Sequence, residues 1–328
     1  MTNVKSLDEL QKFIANNHIS KAATFEHYAQ QGALLKPLNQ LFGSYVLEGA
    51  LIHFPARRGC GKSLLCLQLC LAISHRYDEY LGEEIKKHGV CIYLDFEMSE
   101  QVTQRRAYQL KKFAPVYQER FANDLIIYST RKSFMDDFTT INRLISENRP
   151  VLIVIDNLRN ALHNVNTNSA TEMANFFSIL NALKEIYQFS IIIVDHFRKH
   201  TNNLRTDSDL QSGSGVKTDL SDGDFILRNS CQNKNWRLLK RIKSRLTEES
   251  DTTKLIAFNP LTLWFELIQP EVNEAEHIGL SEIQDKDELK DIAIDMYEKG
   301  TTLDEIARAL HKSKSTIHRY VTGKKTPT

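Results

Sequence analysis

Residues 51–74 read LIHFPARRGCGKSLLCLQLCLAIS. An apolar, strand-like run ends in a glycine-containing turn, and the turn opens a helical stretch. Within it, Ala56 to Ser63 (ARRGCGKS) satisfies the A/G-x4-G-K-S form of the Walker A phosphate loop, with Ala56 in place of the usual first glycine. The context supports the motif, because unpaired backbone N–H groups and the dipole at a helix N-terminus hold anionic oxygens. Ala56, Arg57, Arg58, Gly59, Cys60, Gly61, Lys62, Ser63 and Leu64 are therefore expected to cradle ATP. Lys62 would reach the β- and γ-phosphates and Ser63 would hold Mg²⁺.

Mg²⁺ at such a loop needs a carboxylate at the end of a buried strand, and VLIVID places Asp156 there after five apolar residues. Hydrolysis needs a group that orients or deprotonates water. Asp95 and Glu97 in YLDFEMSE are the candidates. Glu97 lies nearer the C-terminal strand edge, where open α/β sheets bind ligands, so it is expected to be catalytic and Asp95 structural.

Outward from the loop, GVCIYLDFE, LIIY, VLIVID and SIIIVDHF alternate with segments long enough for crossover helices, the rhythm of a mainly parallel sheet. After a polar, Gly/Ser-rich stretch from His200 to Asp222, the runs DFILR, WRLLKRIK, KLIAF and LWFELI predict a meander that finishes the sheet. Residues 49–269 are thus expected to form an α/β P-loop NTPase domain. Residues 1–48 carry two short helical patterns and read as an appendage, and residues 270–285 read as an acidic linker.

A length of 328 residues with 41% hydrophobic and 25% charged residues suits one sizeable core and one smaller domain. No apolar run reaches the roughly 18 residues of a membrane span, and the polar N-terminus lacks a secretory apolar region, so a cytoplasmic location and no membrane partner are expected. The five cysteines lack CxxC spacing and are expected to be reduced, buried core thiols. The net charge of +1 hides an uneven distribution, since acids outnumber bases eight to two from Glu271 to Asp291, while His311 to Thr328 holds five Lys/Arg and no acid.

In residues 286–328, TTLDEIARALHKSKSTIHRYV has Thr302 and Glu305 at capping-box spacing, followed by Leu303, Ile306, Ala307 and Leu310 on one helical face. A short turn then gives a second helix, with Ile317, Tyr320 and Val321 facing inward. Leu289, Ile292, Ala293 and Met296 supply a supporting helix that Gly300 can end. This all-α pattern resembles the helix-turn-helix of resolvase and transposase DNA-binding domains. The resemblance puts Lys314, Ser315, Thr316, His318 and Arg319 against duplex DNA.

The ordered motifs of the larger domain resemble the RecA-fold replicative helicases of the DnaB type and the shorter RepA-type plasmid helicases. LDFEMSE is similar to the strand that carries their catalytic glutamate, which falls on Glu97. IIIVDHF resembles the strand ending in a polar sensor, which falls on His196, and LLKRIKSR holds Lys243 and Arg245 where the family has a Lys-x-Arg pair reaching the neighbouring subunit's nucleotide. Asp209 to Arg228 resembles the DNA-facing loop and the strand after it. Arg205, Gln211, Ser212, Gly213, Ser214 and Lys217 are accordingly expected to meet single-strand DNA.

The resemblance implies a RecA-like fold and a homo-oligomer, a hexameric ring, since a finger acting in trans leaves each site incomplete in a monomer. It implies an ATP- and Mg²⁺-dependent replication helicase of a plasmid or mobile element. A DNA-bound switch, in which ATP controls assembly or recruitment without unwinding, remains the alternative.

Overall fold

The computed structural model describes residues 6–17, 23–163, 170–196, 219–248, 252–277, 286–298, 300–310 and 312–322. Helices α1 (Leu7–Asn17) and α2 (Phe25–Gly32) precede a hairpin of β1 (Gln40–Phe42) and β2 (Val46–Leu47). Strand β3 (Leu51–Ala56) and helix α3 (Lys62–Ser74) flank the phosphate loop, and a second small hairpin, β4 (Glu79–Tyr80) and β5 (Glu83–Glu84), follows. Alternation then sets in: β6 (Cys91–Asp95), α4 (Glu100–Lys112), β7 (Leu125–Ser129), α5 (Phe138–Asn148), β8 (Leu152–Asp156), α6 (Leu158–Ala161), α7 (Ala170–Tyr187) and β9 (Ser190–His196). Strands β10 (Gly223–Asn229), β11 (Trp236–Ser244), β12 (Thr253–Phe258) and β13 (Phe265–Val272) lead to the single turn α8 (Glu274–His277).

Among the described residues, the main sheet has nine strands in the order β13-β12-β11-β10-β3-β9-β8-β6-β7. From β10 to β7 every neighbouring pair is parallel, and β10 to β13 form the expected antiparallel meander. Strand β9 lies between the phosphate-loop strand and the strand of Asp156. Register sets Asp95 opposite Asp156 and Ala56 opposite His196, so these four strand ends finish along one sheet edge.

Period-two alternation gives each face of the sheet its own core. Phe54, Tyr93, Val154, Val194 and Phe225 point to the α3 side, while Ile92, Leu94, Ile155, Ile191 and Ile193 pack with α5 and α7 on the other. Helix α3 is apolar all round, and every residue but Ser63 is buried, as a helix covered on all sides requires. No described helix is long and apolar enough to cross a membrane.

Three expectations change. The core begins ahead of residue 49: Leu41, Phe42 and Val46 of the first hairpin are buried in the α3-side cluster, and Leu10 of α1 is buried against the α7 side. The acidic stretch does not begin as a linker, because residues 270–272 complete β13 and Glu274 pairs with Arg228 at 2.9 Å and Lys240 at 2.8 Å. Those cations on β10 and β11 draw the acidic segment onto the sheet as far as the buried His277. Four cysteines are buried as expected, but Cys231, in the turn between β10 and β11, is exposed.

Near the C-terminus, α9 (Lys286–Glu298), α10 (Leu303–Ala309) and α11 (Lys314–Thr322) pack around their own cluster. Leu289, Ile292, Ala293, Ile306, Leu310, Ile317 and Tyr320 are buried there, the apolar positions that the spacing selects. Thr302 and Glu305 form the capping box, and Gly300 takes a φ of +87° just past α9.

Candidate active site

The phosphate loop leaves β3 and enters α3 through two glycines in the left-handed region, Gly59 at φ +79° and Gly61 at φ +100°. At Gly61 a side chain is excluded twice over, since a Cβ would stand 2.6 Å from Cζ of Phe265. Arg237 of β11 braces the loop by donating Nε–H to the Cys60 carbonyl at 3.0 Å.

Lys62 is buried, and its Nζ donates to the carbonyls of Ala56 (2.6 Å) and Arg57 (2.9 Å) while lying 3.2 Å from Nδ1 of His196. Burial pulls its pKa below the usual lysine value, against the opposing pull of Asp156, Asp195 and Glu97. These contacts hold an ammonium at the mouth of the loop.

Asp156 is 2% exposed at the end of β8. Tyr93 donates its hydroxyl to Oδ2, and this bond and the nearby Ser63 side chain favour the ionised carboxylate. Burial raises the carboxyl pKa despite both. Oδ1 has no hydrogen-bond partner among the described residues. A buried hard oxygen without a donor, beside a serine hydroxyl, fits Mg²⁺.

Strand β6 separates the two acidic candidates as the sequence suggests. Asp95 is consumed locally: Oδ1 accepts the N–H groups of Glu97 (3.0 Å) and Met98 (2.8 Å), and Oδ2 accepts the Thr103 hydroxyl (2.6 Å). Glu97, half-buried, faces the cleft. Its Oε2 accepts from Nδ2 of Asn157 and lies 3.7 Å from Nε2 of His196. The neighbouring His196, with a smaller contribution from Asn157, holds the Glu97 pKa below its usual value, which favours the carboxylate form.

Asn157 was not legible as a site residue. Its Oδ1 accepts the N–H of Asn160 at 3.0 Å and caps α6, which turns the amide nitrogen toward Glu97 and leaves it 3.3 Å from Nε2 of His196. The available signal was an Asx cap directly after Asp156. Tyr93 has a clearer one, because it sits two residues before Asp95 on the same strand and opposite Val154, with its hydroxyl reaching Asp156. Arg58, Met98, Arg106, Arg237 and Phe258 also line the cleft. Arg106 comes from α4, which carries no phosphate motif.

Lys243 and Arg245 are not brought to this cleft. Gly223 pairs with both Ser244 and Ile52, which puts the end of β11 at the sheet edge opposite Ala56. Lys243 Nζ donates to the Ser221 carbonyl at 3.4 Å, and Arg245 Nη2 donates to that of Asp219. Arg205, Gln211, Ser212, Gly213, Ser214 and Lys217 lie outside the described residues. On α11, Lys314, Ser315, His318 and Arg319 are exposed, Thr316 is half-buried, and Lys314 pairs with Asp304 at 2.6 Å.

A family model described as an AAA domain matches residues 19–202, the span that contains Ala56 to Leu64, Glu97, Asp156 and His196. The curated proteins include no match to this chain.

Proposed function

The chain belongs to the AAA domain family, and from that premise we propose that it is an oligomeric, DNA-binding ATPase that acts as a replicative helicase of a plasmid or mobile element. The observation that carries the reading is the meeting of Lys62, Ser63, Glu97, Asp156 and His196 at one sheet edge, with Glu97 held as a carboxylate and Asp156 holding an unsatisfied oxygen.

ATP lays its triphosphate on the N-terminus of α3, and Lys62 exchanges its carbonyl contacts for the β- and γ-phosphates. Ser63 and Asp156 hold Mg²⁺, which when bound neutralises charge on the phosphate oxygens. Glu97 takes a proton from a water whose oxygen attacks the γ-phosphorus, and the bond to the β-phosphate oxygen breaks. Asn157 fixes the Glu97 carboxylate in place. His196, between Lys62 and Glu97, registers whether the γ-phosphate is present.

Lys243 and Arg245 stand too far from their own cleft to serve it, and they complete the site of a neighbouring subunit in a hexameric ring. The segment with Arg205, Gln211, Ser212, Gly213 and Lys217 binds single-strand DNA. The exposed residues of α11 bind duplex DNA, and the basic residues after it add phosphate attraction. Measuring ATP hydrolysis with and without single-strand DNA tests the reading. Stimulated, Mg²⁺-dependent hydrolysis is expected, and no hydrolysis by a folded oligomer would overturn it.

A further inference from the structure

His53 lies in the middle of the central strand β3, 2% exposed, on a sheet face that is otherwise apolar around it, with Leu51, Ile191 and Ile193. Its ring is flanked by two buried carboxylates. Nε2 is 3.3 Å from Oδ2 of Asp195 on β9, and Nδ1 is 3.7 Å from Oδ1 of Asp224 on β10. Register puts Asp224 directly opposite His53 on one side and Lys243 of β11 on the other. Asp195, His53, Asp224 and Lys243 therefore form a row across four adjacent strands in which acidic and basic groups alternate.

Such a row is a poor way to stabilise a sheet. Buried ion pairs recover little more than their desolvation cost, and apolar residues of similar volume often do better. Burial raises the Asp224 carboxyl pKa and lowers that of Lys243, so both groups meet resistance to holding charge where they stand. The two ends of the row are what make it informative. Asp195 divides its carboxylate between His53 and the backbone N–H of His196, which Oδ1 accepts at 2.8 Å. At the far end Asp224 accepts the Ser221 hydroxyl at 2.7 Å, Lys243 binds the Ser221 carbonyl, and the Arg245 N–H binds the Asp222 carbonyl at 2.8 Å. The His196 N–H on Asp195 ties one end of the row to the cleft, and the Ser221 and Asp222 contacts tie the other end to the turn that carries Lys243 and Arg245.

We propose that His53 is a positioning residue that links the nucleotide sensor His196 to the Lys243/Arg245 end of β11, so that occupancy of one subunit's site adjusts the groups offered to its neighbour. The inference rests on the reading above, in which Lys243 and Arg245 serve the next subunit.

The test uses His53→Gln in the full chain, alone and in one-to-one mixed oligomers with Glu97→Gln, which binds ATP without hydrolysing it. Alone, the variant should lose about tenfold in kcat, within the range of measured couplings between sites, with KM for ATP nearly unchanged. In mixtures, His53→Gln subunits keep a sound phosphate loop and receive sound Lys243 and Arg245 from Glu97→Gln neighbours, which still bind ATP. About a quarter of randomly formed head-to-tail interfaces have that pairing, and activity should recover in proportion. A residue that merely supports its own fold or its own cleft gives no recovery. Should His53→Gln fail to show a cooperative unfolding transition, Asp224→Asn carries the same expectation. Wild-type kcat in the folded variant, or a loss that Glu97→Gln does not complement while it does complement Arg245→Ala, overturns the inference and leaves the ATPase reading standing. If Arg245→Ala is not complemented either, the trans arrangement is wrong and the inference falls with it.

Discussion

At the scale of single residues, Lys62 and Glu97 share one cleft but act on different partners, phosphate and water. Lys62→Ala and Glu97→Gln should each abolish ATP hydrolysis, by about 100-fold or more. Only Lys62→Ala should lose much nucleotide affinity, as a fluorescent ATP analogue would report, and equal loss in both would remove Glu97 from the base role. Asp156 gives a prediction of opposite sign for stability. Its pKa is raised by burial from 3.8, so the folded state binds the proton more tightly than the unfolded one. Its ionised form therefore costs stability, a cost absent below pH 3.8 that grows as pH rises toward the raised folded value and is full above it. Asp156→Asn should raise the melting temperature of the nucleotide-free protein at pH 7 while abolishing hydrolysis. A clear fall in melting temperature would mean that the carboxylate is already satisfied.

At the scale of elements, Glu274 closes α8 onto the sheet through Arg228 and Lys240, all three largely buried. Glu274→Ala removes a carboxylate from two largely buried cations and should cost about 1–3 kcal/mol in denaturant unfolding. A loss indistinguishable from zero would show that α8 does not anchor the meander. This contact also shows where sequence reading runs out. Strands β3, β6, β7, β8 and β9 were legible because each is an apolar run of strand length, and α10 because Thr302 and Glu305 are three residues apart. Glu274 finds Arg228 across 46 residues, so local composition shows only an acidic stretch. The first hairpin escapes for a similar reason: β1 and β2 are three and two residues long, too short for a period to declare itself. In the site, Lys62, Ser63, Glu97 and Asp156 follow from motif and strand-end logic. Asn157 and Arg237 act through contacts that only the folded chain creates.

At the scale of the whole molecule, each nucleotide site of the proposed ring belongs jointly to two subunits. Arg245→Ala alone should lose hydrolysis, and mixing it with Lys62→Ala should restore part of it, because each supplies what the other lacks at shared interfaces. Heteromers that form and remain inactive would rule out the trans finger. In the proposed ring, ATP hydrolysis separates DNA strands, and a forked duplex with one labelled strand is the decisive assay. Wild-type protein with ATP and Mg²⁺ should release the labelled strand, while Glu97→Gln should bind ATP and the fork and leave it annealed. Wild-type protein that hydrolyses ATP on the fork yet never releases the strand would contradict the claim, and would make the chain an ATP-controlled switch on DNA.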